Sequence, residues 1–96
     1  MPAMKLDPQQ IAAELAKLPG WSIESGSLHR VFEFKDFNAA FGFMTRVALA
    51  AEKMDHHPDW SNAWNKVVVN LVTHSAGGLT TNDFQLAAKM QQVFSG

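Results

Sequence analysis

Three of the four histidines of this 96-residue chain gather in two short stretches, Glu52-Lys53-Met54-Asp55-His56-His57-Pro58-Asp59-Trp60 and Thr73-His74. Carboxylates at Glu52 and Asp55 and an indole at Trp60 stand beside the paired imidazoles. Imidazole can both give and take a proton near neutrality, so the set points to general acid–base chemistry. An aromatic wall beside such groups suits a flat heteroaromatic substrate. A plainer account also fits, since adjacent histidines before a proline make an ordinary polar helix end. Spacing alone leaves both open. A metal centre fits less well: the chain has no cysteine and lacks the histidine pair four residues apart that marks a zinc-binding helix, so no metal and no cofactor are expected.

The elements that must position these residues can be read from pattern. Asp7-Pro8-Gln9-Gln10 supplies an N-cap, a proline at the first helical position and a glutamine able to complete a capping box. Ile11, Leu15 and Leu18 then share a face until Pro19-Gly20 ends the helix. Trp21–Glu24 and Leu28–Phe34, separated by Ser25-Gly26-Ser27, read as a hairpin with Leu28, Phe32 and Phe34 on one side. Asp36 caps a second helix whose apolar stripe is Phe37, Ala40, Phe41, Met44, Val47, Ala48 and Ala51, leaving Phe43 and Leu49 off the stripe and exposed. Pro58 requires this helix to stop by His57. Within it Glu52 and His56 are four apart, so Glu52 is expected to orient the His56 ring. The helix dipole at that end favours protonated imidazoles at His56 and His57.

Trp60–Trp64 and Val67–Thr73 flank Asn65-Lys66, read as a two-residue turn with a left-handed Asn65. Val67, Val69 and Leu71 should face the core, while Val68, Asn70, Val72 and His74 face the other way, with His74 ending the strand. Ala76-Gly77-Gly78 is a loop, and Thr80 or Thr81 caps a third helix with the stripe Leu86, Ala87, Met90, Val93 and Phe94. Asp83 reads as a capping or first-turn acid, and His29 as a surface residue. The expected fold is α+β in the order αββαββα, a four-stranded antiparallel sheet with three helices packed on one face, forming a single domain over residues 1–96.

Composition excludes several functions. The net charge of -1 offers no electrostatic footprint for direct nucleic-acid binding. No apolar run approaches the length of a membrane span, and the opening Met1–Lys5 lacks the apolar stretch of a signal peptide, so a cytoplasmic protein is expected. Val68 and Val72 on the open sheet face, with Phe43 and Leu49, suggest a homo-oligomer.

The ordered set of motifs resembles the pterin-4a-carbinolamine dehydratase family. It comprises Phe43-Met44-Thr45-Arg46-Val47-Ala48, then Glu52 through Trp60, then Asn65-Lys66-Val67, Thr73-His74, Gly78-Leu79-Thr80 and Asp83. The resemblance implies dehydration of a 4a-hydroxytetrahydropterin to quinonoid dihydropterin in tetrahydrobiopterin recycling, and assembly into dimers or tetramers. It assigns acid–base roles to His56 and His74, a mainly substrate-binding role to His57 and an ancillary acid role to Glu52. The pterin-contacting segments it implies are His56-His57-Pro58 and Thr73-His74-Ser75-Ala76. Two departures concern the pocket and not the histidines: many members have cysteine where this chain has Ala76 and tyrosine where it has Trp64. Some animal members also bind and stabilise dimers of a homeodomain transcription factor, so a coactivator role through a helical surface is the alternative function.

Overall fold

A computed structural model describes residues 4–96; of the opening Met1–Lys5 stretch, Met1–Ala3 lie outside the described residues. The elements run α1 (Pro8–Leu15), β1 (Ser22–Glu24), β2 (Ser27–Glu33), α2 (Phe37–Met54), β3 (Asp59–Ala63), β4 (Lys66–Leu71) and α3 (Thr81–Ser95), with a single 3₁₀ turn at His74–Ala76. The strands form one antiparallel sheet in the order β1-β2-β4-β3. This is the αββαββα, α+β arrangement that the pattern implies.

Local chemistry explains most of the boundaries. At α1, Gln10 N–H donates to Asp7 Oδ1 (2.8 Å) and Asp7 N–H to Gln10 Oε1 (2.9 Å), a reciprocal capping box. The β1–β2 turn places both Ser25 and Gly26 at positive φ (51° and 81°), the two-residue geometry that matches strand twist. Ser27 therefore pairs with Glu24 and belongs to β2 instead of the loop.

Alternation on β2 and β4 builds the core face of the sheet. Leu28 pairs with Leu71 and Phe32 with Val67, and all four are buried together with Val69. Arg30 lies on the same side, its guanidinium 4.5 Å from the Phe32 ring centre and 5.2 Å from that of Phe94. It also donates to Gln91 Oε1, and burial lowers its pKa below the ordinary arginine value. Its stem thus covers apolar surface while its head ties β2 to α3.

The rotation of α2 differs from the expected stripe. Ala40, Phe43, Val47 and Ala51 are buried, whereas Phe37 and Phe41 are about half exposed (48% and 53%) and Leu49 is 70% exposed. Phe43 sits 4.7 Å from the Phe32 ring and 5.1 Å from the Phe34 ring, at the centre of an aromatic cluster. The helix carries apolar residues around more than half its circumference, so period alone leaves its rotation open. The aromatic pocket offered by β2 decides it, and Phe43 wins over Phe37.

The second hairpin also turns one residue earlier than expected. Ala63 pairs with Lys66, so the turn is Trp64-Asn65, and the left-handed φ of 51° falls on Trp64. Asn65 is held elsewhere: its Nδ2 donates to Phe34 O (2.8 Å) and its carbonyl accepts from Phe34 N–H (2.8 Å). That amide acts as a backbone mimic at the end of β2. Val67, Val69 and Leu71 face inward as expected, since the shift moves the turn and not the parity.

Replacing Phe43 by Ala should cost about 3–5 kcal/mol in denaturant unfolding, as for other buried phenylalanines. Phe37→Ala should cost under about 1 kcal/mol, because half of that ring already faces solvent. The reverse order would restore the stripe expected from periodicity.

Candidate active site

The end of α2 sets the site. Asp55 adopts the left-handed conformation (φ 53°, ψ 42°), which aspartate tolerates better than most residues. Its N–H donates to Glu52 O (3.1 Å), and the N–H of His56 donates to Ala51 O (3.1 Å), closing the helix with a Schellman-type pair of bonds. His56 therefore leaves the helical path. The expected Glu52–His56 pair does not form, because four-residue spacing aligns side chains only while the helix continues. Glu52 Oε1 instead meets His57 Nε2 at 2.7 Å, with both side chains largely in solvent.

His56 turns inward. It is 8% exposed, and its Nε2 lies 2.6 Å from Oδ1 of Asp83, whose side chain is wholly buried. Asp83 begins α3: Thr80 is the N-cap and Asp83 completes the capping box, with Oδ2 accepting the Thr80 N–H at 2.9 Å. The same Oδ2 accepts the Thr73 hydroxyl at 2.8 Å. Asp83 is thus the capping acid the sequence suggests and also the partner of His56. The capping-box spacing is legible in sequence. That the end of α2 lies opposite it is not.

Both Asp83 oxygens are acceptors here, and among the described residues three protein groups donate to them. That pattern suits an ionised carboxylate, and it assigns the His56 proton to Nε2 by partner chemistry. Nδ1 makes no hydrogen bond to another described residue. A ring held by Nε2–H has Nδ1 as the atom able to take or give a proton.

His74 arrives differently from the expected strand end. β4 stops at Leu71, and His74 opens the 3₁₀ turn, in a loop closed by a bridge between Thr73 and Gly78. Gly77, at φ 76°, supplies the left-handed position that ends this turn. Thr73 is buried and bonded to Asp83, so its neighbour His74 is brought to the same region as His56 while remaining exposed. Ser75 is exposed and Ala76 half-buried in the same turn, and Pro58 leads from His57 into β3.

Hydrogen bonds thus join His56, Asp83, Thr73 and Thr80, with His74 next in the chain and the His57–Glu52 pair alongside. Trp60 is not bonded into this set. It points to the core side of β3, where it lines a groove with Phe41, Met44 and Leu49. His29 is not a simple surface residue either. It is half-buried on the open sheet face, with Nδ1 2.9 Å from Asn70 Oδ1 and Nε2 3.6 Å from Glu24 Oε2. Among the described residues no group of three His, Asp or Glu side chains is placed to hold a metal ion, and no helix is long and apolar enough to cross a membrane.

The fold and site define a class: a small α+β protein with a buried histidine–carboxylate pair at a helix junction and further imidazoles at its surface. Residues 4–93 match the model of the family described as pterin 4 alpha carbinolamine dehydratase, and the chain belongs to that family. It is 55% identical over 94 residues to a protein of Mesorhizobium japonicum, covering 96% of each chain. It is 48% identical over 92 residues to one of Solibacter usitatus, covering 96% of this chain and 97% of the relative. Both relatives are provisionally named pterin-4-alpha-carbinolamine dehydratase. A crystal structure described as a transcriptional coactivator/pterin dehydratase from Brucella melitensis superposes with a TM-score of 0.90 at 45% identity, covering 93% of this chain and 97% of the other.

Asp83→Ala should cost about 2–4 kcal/mol in chemical denaturation, because three donors lose their acceptor where little water can replace it. Glu52→Ala, which removes half of a solvent-facing pair, should leave the unfolding midpoint unchanged. Equal effects would mean that the Asp83 network contributes no more than the surface pair.

Proposed function

We propose that this chain, a single domain over residues 1–96 acting in the cytoplasm, dehydrates a 4a-hydroxytetrahydropterin to quinonoid dihydropterin and water as part of tetrahydrobiopterin recycling. The observation that carries this reading is the buried Asp83–His56 pair, whose Thr73 branch brings a second imidazole, His74, to the same place. Family membership and the names of the relatives support the substrate class.

The chemistry balances without an oxidant, a reductant or a covalent enzyme adduct. The C4a–O bond breaks as the leaving hydroxyl takes a proton and departs as water. A ring nitrogen gives up a proton, and its electron pair forms the new double bond. One group must donate and another accept, and two imidazoles suffice. His56, held by Asp83 through Nε2–H, presents Nδ1, and His74 approaches from the 3₁₀ turn. His57, steadied by Glu52, mainly binds substrate. The backbone and side chains of Pro58, Thr73, Ser75 and Ala76 line the pterin site in this reading, with Trp60 as a more distant aromatic neighbour and no metal or cofactor taking part.

A second reading concerns partners. The exposed side of α2 carries Phe37, Phe41 and Leu49, and a groove of about 290 Å³ runs between Phe41, Met44, Leu49 and Trp60. Contiguous apolar surface of this kind favours association. It supports a dimer or tetramer built from this chain. A helical surface is also what a coactivator binding a homeodomain transcription factor would use, and the Brucella melitensis relative is described as a coactivator as well as a dehydratase.

Purified protein added to freshly generated carbinolamine should hasten the loss of its ultraviolet absorbance, with the same rate in the presence of a chelator. His56→Ala and His74→Ala should each lower kcat by about a hundredfold or more, as expected for a general acid–base group, while His57→Ala chiefly raises KM. Three variants with unchanged kcat and a similar loss in KM would leave a binding cleft without acid–base chemistry.

Light scattering of the wild-type protein should give a dimer or tetramer mass, and Leu49→Glu should lower it. A wild-type monomer at micromolar concentration would remove the oligomer reading and leave the chemistry untouched.

A further inference from the structure

The carboxylate of Asp83 is reached by a chain of hydroxyls whose direction can be worked out from the number of protons available. Thr73 Oγ1 lies 2.8 Å from Asp83 Oδ2 and also 2.8 Å from Thr80 Oγ1. An ionised carboxylate cannot donate, so the single hydroxyl proton of Thr73 goes to Asp83. The contact between the two threonines must then be donated by Thr80. Thr80 Oγ1 in turn accepts the N–H of Asn82 at 3.2 Å. The sequence of donation is therefore Asn82 N–H to Thr80, Thr80 to Thr73, and Thr73 to Asp83, with His56 Nε2–H meeting the other carboxylate oxygen.

Every side chain in this relay is shielded from water. Thr80 and Asp83 are fully buried, and Thr73 and His56 are each 8% exposed. Reversing the threonine contact would leave Asp83 Oδ2 short of a donor and the Thr80 proton without an acceptor, and buried polar groups seldom tolerate either. Aligned hydrogen bonds also strengthen one another, so Thr80 acts on Asp83 through Thr73.

We propose that Thr80 is a positioning residue for the reaction proposed above: by donating to Thr73 it fixes the orientation of Asp83, keeps the His56 proton on Nε2 and leaves Nδ1 turned toward the substrate. This rests on the dehydratase reading for its chemistry but not for its geometry. The rival account is that Thr80 serves only as the N-cap of α3, in which case its loss lowers stability and nothing else.

The test compares Thr80→Val, Thr80→Ser and Thr73→Val with the wild type by nitrogen-15 NMR of the histidine rings, and then by steady-state kinetics. Wild type and Thr80→Ser should show His56 as a single Nε2–H tautomer with a slowly exchanging proton. Thr80→Val and Thr73→Val should show a mixture of tautomers, with kcat down about tenfold, the scale of one hydrogen bond, and KM little changed. Thr73→Val leaves the helix cap intact and decides the matter if Thr80→Val fails to fold. A single Nε2–H tautomer with wild-type kcat in a less stable Thr80→Val, or a wild-type proton on Nδ1, would overturn the proposal. The NMR signature needs no pterin. Its presence without dehydratase activity would therefore reject the reaction while the relay stood.

Discussion

A carboxylate cut off from water has to find all its donors within the protein, and Asp83 finds them on three separate segments: His56 after α2, Thr73 after β4 and Thr80 at the start of α3. Much of the site's geometry depends on that requirement. The α2 exit, the 3₁₀ loop and the α3 start are irregular backbone that strand pairing does not register. A buried, charge-assisted set of hydrogen bonds specifies their arrangement more tightly than apolar packing would, because each missing partner carries a desolvation penalty. The interaction that holds the junction is the same one that orients the imidazole.

Three left-handed residues place the connections around this junction. Asp55 releases the chain from α2, so consecutive histidines face different environments: His56 meets the buried carboxylate and His57 the solvent-facing Glu52. Gly77 closes the 3₁₀ turn that presents His74, and Trp64 turns the hairpin between β3 and β4. The sheet provides the rigid base. β2 and β4 share six paired positions, and the aromatic cluster around Phe32 fixes the rotation of α2 and hence the direction in which its last turn points.

The two functional surfaces proposed for the chain use different parts of α2. Its C-terminal end carries the imidazoles, while its middle exposes Phe41 and Leu49 beside Trp60. Covering that apolar groove with another subunit would leave the Asp83 network unchanged, since none of the groove residues donates to or accepts from it. Association and proton transfer can therefore vary independently within this framework.

What the sequence determined by itself is whatever local patterns encode: the element order, the capping boxes at Asp7 and Thr80, the inward parity of Val67, Val69 and Leu71, and the clustering of His56, His57 and His74. These follow from period, capping chemistry and proline placement, which act over a few residues. The motif order also carried the family resemblance. Tertiary structure decided the rest, because those outcomes depend on what lies opposite. Phe43 is buried in place of Phe37 because β2 offers an aromatic pocket that helical period cannot reveal. Asn65 yields the left-handed position to Trp64 because its amide bonds the end of β2. Glu52 meets His57 instead of His56 because a left-handed Asp55 ends the helix one residue before the spacing rule would apply. Asp83, read from sequence as a cap, becomes the partner of His56 only when α2 and α3 are packed together, since the pairing spans 27 residues of chain and only the packed core brings those two positions within hydrogen-bond reach.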